Sequence, residues 1–89
     1  MSKLVVVACF DSAVQQYGRP FFSPARGAAL RAFMDEVNRG GADASELAKH
    51  PEDFELRVLA VFDEESGIFE APAEGVGAVL ARGKDVKRS

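Results

Sequence analysis

The sequence predicts an α+β fold: a small antiparallel β-sheet packed against one main α-helix, in a chain that self-associates. Three observations lead there. "KLVVVACF" (3–10) and "FELRVLAVF" (54–62) are dense in β-branched and aromatic residues, the composition of strands. Between them, Leu30, Phe33, Met34 and Val37 recur at the spacing of one helix face. Both strand segments are apolar on both faces, and one helix covers only one, so a second layer is expected, most simply from a second copy in a two-fold dimer.

Taken in order, residues 3–10 lack polar alternation and fit a central strand. "DSAVQQYGRP" (11–20) then collects turn residues, with Arg19 held extended because it precedes a proline. It reads as a loop. Ser23-Pro24 is a helix start: a hydroxyl to cap free N–H groups, then proline where its missing donor costs nothing. The helix is expected over 24–39, burying Leu30, Phe33, Met34 and Val37. Arg31, Asp35, Asn38 and Arg39 fall on its outer face, and Gly40-Gly41 stops it. A short helical turn over 45–49 ends before Pro51.

Residues 54–62 form the second strand, with Phe54, Leu56, Val58, Ala60 and Phe62 on one side by alternation. "DEESG" turns the chain into a third strand over 67–71, with Gly67 at positive φ. The acidic Asp63, Glu64 and Glu65 solvate that tip and discourage edge pairing. Val79–Ala81 supplies a brief strand, and segment 76–81 is an alternative cover for the second sheet face. One domain over 1–81 is therefore expected, followed by a basic, mobile tail over 82–89.

The chain has 89 residues, of which 47% are hydrophobic, enough for one small core. Eleven Lys and Arg against fourteen Asp and Glu give a net charge of −3, so no global positive field attracts nucleic acid and any anion-binding surface is local. The first apolar run is too short to cross a bilayer and lacks a small-residue cleavage site before Asp11, the pattern of a mature, soluble chain. The single cysteine, Cys9, lies within that run and fits a reducing compartment.

Catalytic chemistry finds little support. His50 beside Glu52 and Asp53 invites a metal or acid–base reading, but one His and one distant Cys fall short of a zinc set, and no calcium-loop spacing occurs. A surface turn is the expectation. Neither Ser12 nor Cys9 sits in a nucleophile motif, and "EGVGAVLARG" matches no phosphate loop. No enzymatic activity, metal or cofactor is expected.

The stretch "YGRPFFSPARGAALR" (17–31) is the richest in recognition chemistry. Arg19, Arg26 and Arg31 suit phosphates, and Tyr17, Phe21 or Phe22 suit stacking on unpaired bases, the pairing by which single-strand binders work. The free N–H groups at the helix start add an anion site. The competing reading makes Phe21 or Phe22 a staple that packs onto the helix. Arg82, Lys84, Lys87 and Arg88 join the first reading if the tail folds toward the same side.

The succession "FDSA" (10–13), "YGRPFF" (17–22), "RAFMDEVNR" (31–39), "KHPEDFEL" (49–56), "FDEESGIF" (62–69) and "LARGKDV" (80–86) resembles the small nonstructural DNA-binding protein of gokushoviruses, single-stranded DNA phages of the Microviridae. The resemblance implies a non-enzymatic viral accessory protein in the host bacterial cytoplasm. It would help shift genome synthesis toward single strands destined for packaging. Its implied partners are single-stranded DNA and phage or host replication proteins, with no membrane. The acidic composition keeps a second class open, an adaptor on a replication protein with little DNA contact. A structural particle component is the third, and it fits least because genome-neutralising proteins are strongly basic.

Overall fold

The computed structural model describes residues 2–88. Six antiparallel strands form one sheet: β1 (Lys3–Asp11), β2 (Gln16–Tyr17), β3 (Phe21–Ser23), β4 (Phe54–Asp63), β5 (Phe69–Glu70) and β6 (Ala78–Arg82). The long strands β1 and β4 pair along the centre. The short ones flank them, with β2 and β3 on the outer edge of β1 and β5 and β6 on the outer edge of β4. The main helix, α1 (Arg26–Val37), lies on one side, and short helices α2 (Glu46–Lys49) and α3 (Gly83–Val86) close one end together with a 3₁₀ turn at Pro51–Asp53.

The core sits between sheet and helix. Val5 and Val7 of β1 and Leu56 and Val58 of β4 meet Ala29, Phe33 and Val37 of α1. These three helix residues are spaced by four, so they form one stripe. Leu30, expected in that stripe, is only half-buried, as is Met34. Ala29 takes the inward position because its small side chain admits the close approach of helix to sheet.

The second strand departs from simple alternation. Val6 pairs with Ala60 and Val7 with Val58, which leaves Leu59 as an extra residue in a β-bulge. The bulge reverses the two sides beyond it. Leu56 and Val58 point to the helix, whereas Ala60 and Phe62, expected on the same side, share the opposite face with Val6 and Leu4. A second register shift places Leu80 as the extra residue of β6.

Four more expectations are corrected. Residues 11–20 are not a plain loop: β1 turns back into β2 through Gln15 at φ +57, and Tyr17 pairs with Phe10. The turn is tied down by Ser12, whose hydroxyl donates to the Asp53 carbonyl at 2.9 Å. Ser23 does not cap α1. It is a ladder residue opposite Val5, its hydroxyl donates to the Ala25 carbonyl at 2.9 Å, and the capping position falls to Ala25 with no side-chain bond. The strand expected over 67–71 shortens to Phe69–Glu70. Finally, segment 76–81 covers no face: β6 pairs edge-on with Glu55–Val58, so among the described residues nothing lies over the second side of the sheet.

The chain end is also built into the fold. Asn38, expected on the outer face of α1, donates from Nδ2 to the carbonyls of Met34 at 2.8 Å and Val86 at 3.0 Å. Its Oδ1 accepts the Arg88 N–H at 2.7 Å. Gly83 packs so tightly that a Cβ there would stand 2.2 Å from the Pro51 carbonyl oxygen. Residues 82–88, expected as a tail, are thus the end of β6, one helical turn and a bonded extension; Ser89 lies outside the described residues.

Candidate nucleic-acid interface

Strand pairing dictates which side chains share the uncovered face, because directly opposed residues project to the same side. Along β1 these are Leu4, Val6, Ala8 and Phe10. Their partners are Phe62, Phe22 and Ala60, Arg57, and the pair Tyr17 and Glu55; one strand further out, Phe69, Val79 and Arg82 join them. Val6 and Ala8 are buried although no helix covers them, since larger neighbours on the same face shield their short side chains.

The face has two halves. At one end, Phe22, Phe62 and Phe69 form an aromatic triad, with ring centroids 5.5 Å apart for Phe22 and Phe62 and 4.7 Å for Phe62 and Phe69. Phe22 is 51% and Phe69 58% exposed, so two large rings present faces and edges to solvent. Ile68, next to Phe69 in the chain, is also exposed, and Lys3 and Glu70, 3.5 Å apart, pair on the helix-side register at the same end of the sheet.

The other end combines rings with charge. Phe10 and Tyr17 meet edge to face at 4.9 Å, and the Arg57 guanidinium lies over the Phe10 ring with Cζ 3.9 Å from its centre. Arg57 donates from Nη1 to the Tyr17 hydroxyl at 3.0 Å, and from Nε and Nη2 to Glu55 Oε1 at 3.0 and 2.7 Å. Arg82 donates from Nε to the other carboxylate oxygen at 3.3 Å. The Arg57 hydrogen bonds, reinforced by Arg82, hold the Glu55 carboxyl below the usual carboxylate range despite partial desolvation. The cluster presents a guanidinium stacked on one ring and braced by another, with a carboxylate as its internal counter-ion.

The residues proposed from sequence divide between two sides. Tyr17, Phe22 and Arg82 lie on the uncovered face, and Arg19 is exposed in the connection between β2 and β3. Phe21 pairs with Val7 and so projects to the helix side, at the sheet edge. Arg26 opens α1 and is engaged by Glu74 through Nε and, at 2.7 Å, Nη2. Arg31 lines a shallow groove on the outer side of α1 with Gly27, Leu30, Met34, Asp35 and Arg88. Lys84 lies in α3, and the Lys87 ammonium reaches the Val37 carbonyl at 3.5 Å. The chain end therefore joins the helix side, away from the aromatic face. A family model described as Phage ORF5 protein matches residues 4–86. The chain belongs to this family. It is a bacteriophage protein. Neither the curated proteins nor the solved structures contain a match.

In this member of the Phage ORF5 family, the residues missed from sequence are Phe10, Glu55, Arg57, Phe62 and Phe69. One signal pointed to them: Arg57 is the only cation within "FELRVLAVF", and a charge inside a strand apolar on both sides marks the side that meets water or a polar partner. The other candidates have plainer settings. Cys9 is half-buried, and burial, with a smaller contribution from Glu36, pushes its thiol upward, away from the reactive thiolate. His50 ends α2 in an exposed turn, 3.9 Å from carboxylate oxygens of both Glu46 and Glu52. Among the described residues, no helix is long and apolar enough to cross a membrane.

Proposed function

We propose that this phage protein binds single-stranded DNA on the uncovered sheet face and acts without catalysis in genome replication, at the turn toward single strands destined for packaging. The observation that carries the reading is the exposure of aromatic rings beside a ring-stacked arginine on a face that the described residues leave open. Unpaired bases stack on such rings whatever their sequence, and arginines track the phosphates between them. Phe22 pairs with Val6 and Tyr17 with Phe10, so the two halves lie about 13 Å apart along β1 at about 3.3 Å per residue. That span suits a few nucleotides. Arg19, Arg57 and Arg82 are the phosphate partners favoured by position. Arg26, Arg31, Lys84, Lys87 and Arg88 are at most a separate contact on the helix side. The gokushovirus likeness and a site in the host cytoplasm accord with this reading.

The test uses the chain's own reporter. Tyr17 is the single tyrosine and there is no tryptophan, so intrinsic fluorescence comes from the proposed site. Titration with single-stranded DNA should quench it, with log affinity falling against log salt with a slope between about −0.7 and −2, one to three phosphates at about 0.7 each. Duplex DNA of equal length should bind more weakly. Absence of binding at low salt would leave the adaptor reading, which the wholly apolar Phe22, Phe62 and Phe69 end favours. The same patch supports the proposal of a homodimer, a second copy covering what the helix does not.

A further inference from the structure

We infer that the Glu55 carboxylate occupies a phosphodiester site, and that a bound strand exchanges one of its phosphates for it on Arg57 and Arg82. This rests on the single-strand reading above and assigns the anion-binding point within it. Two guanidiniums converge on one carboxylate, one oxygen for each: Arg57 at 2.7 and 3.0 Å on Oε1, Arg82 at 3.3 Å on Oε2. A guanidinium fork matches carboxylate and phosphate geometry equally well.

Arg57 is the fixed part of the site. Phe10 supports its flat side, the Tyr17 hydroxyl takes Nη1, and only the edge aimed at Glu55 remains for a ligand. Arg82 is the adaptable part, with a longer bond and a side chain half exposed at 51%. The Glu55 and Arg57 side chains keep 21% and 24% of their surface, so solvent and a competing anion reach the pair. One negative charge leaves as another arrives. The exchange gains little from charge alone and proceeds where base stacking on Tyr17 and the neighbouring rings adds to it. Glu55 thus excludes free phosphate and duplex backbone while admitting strands with unpaired bases, a selectivity suited to a protein of net charge −3.

The experiment compares the wild-type chain with Glu55→Gln and Arg57→Lys, using oligodeoxythymidylate of about 16 nucleotides and inorganic phosphate as probes. Tyr17 fluorescence and thermal melting are read in parallel. Glu55→Gln should bind the oligonucleotide about tenfold more tightly, with a salt slope steeper by about 0.7 to 1.4, and should now respond to inorganic phosphate. Arg57→Lys should lose affinity while melting near the wild type. Binding by wild type with unchanged or weakened binding by folded Glu55→Gln overturns the exchange and leaves the single-strand reading standing. Binding only after the substitution overturns it as well, since the wild-type chain then exchanges nothing. Silence from both chains at low salt overturns both.

Discussion

The two sides of the sheet are made by the same strands and obey opposite rules. On the helix side, Val7, Leu56, Val58 and Val37 are wholly buried, and branched aliphatics, alanine and Phe33 fill most of the space, with Cys9 packed against them. On the other side, the same strands present Phe10, Phe22, Phe62, Phe69, Tyr17 and Arg57, ring against ring and charge against ring. Aliphatic side chains interlock with a rigid partner already in place. Rings suit a partner that arrives because they offer flat area with few torsions to freeze, and the planar arginine fork adds directed donors. The difference separates the surface that stabilises the fold from the surface free to bind.

Substitutions on the helix side should therefore have the largest effect on stability. Phe33→Ala removes the main helix anchor and should lower the free energy of unfolding by about 3–5 kcal/mol, read by urea denaturation. A loss below about 1 kcal/mol would break the distinction between the sides.

Next in size are the rings of the open face. Phe22→Ala and Phe69→Ala should each weaken single-stranded DNA binding by about 1–3 kcal/mol, the scale of one stacked base, while melting stays close to wild type. The same variants run in analytical ultracentrifugation sharpen the point. If they dissociate a wild-type dimer and leave DNA affinity intact, the triad serves self-association and the Arg57 end alone serves DNA.

Gly83→Ala probes the docked chain end, where the added Cβ meets the Pro51 backbone. A cost of about 1–3 kcal/mol is expected, with DNA affinity unchanged, since α3 lies on the helix side. The smallest effect concerns pH. Glu55 has a lowered pKa in the folded state, so its contribution is present above the ordinary carboxylate range and is lost as pH falls through the folded value. Glu55→Gln should make the acid side of the stability profile shallower, by less than about 1 kcal/mol for a pair this near the surface.

What the sequence made legible follows from signal length. β1, α1, β4 and the Gly67 turn each spread their pattern over several residues or rest on one strong turn residue, and each is present with ends shifted by a residue or two. The β2 turn uses Gln15 at positive φ, a conformation no local composition announces. The docking of 83–88 depends on Asn38, 48 residues from Val86, a contact that periodicity cannot carry. For the site, Tyr17, Phe22 and Arg82 were legible as rings and charges. Their grouping with Arg57 and Phe69 required strand register, and the two sides could not be sorted without the bulge.

That bulge has a genetic consequence. Val58 and Ala60 already stand opposite the adjacent Val7 and Val6, so an in-frame loss of the Leu59 codon would join them directly and leave Ala60, Val61 and Phe62 on the sides they occupy now. An in-frame loss of the Val61 codon has no such slack. With the bulge in place, Phe62 would follow Ala60 directly and turn toward α1, and the aromatic triad would lose its central ring to a space shaped for an aliphatic. The segment tolerates shortening at one codon and not at another two places on.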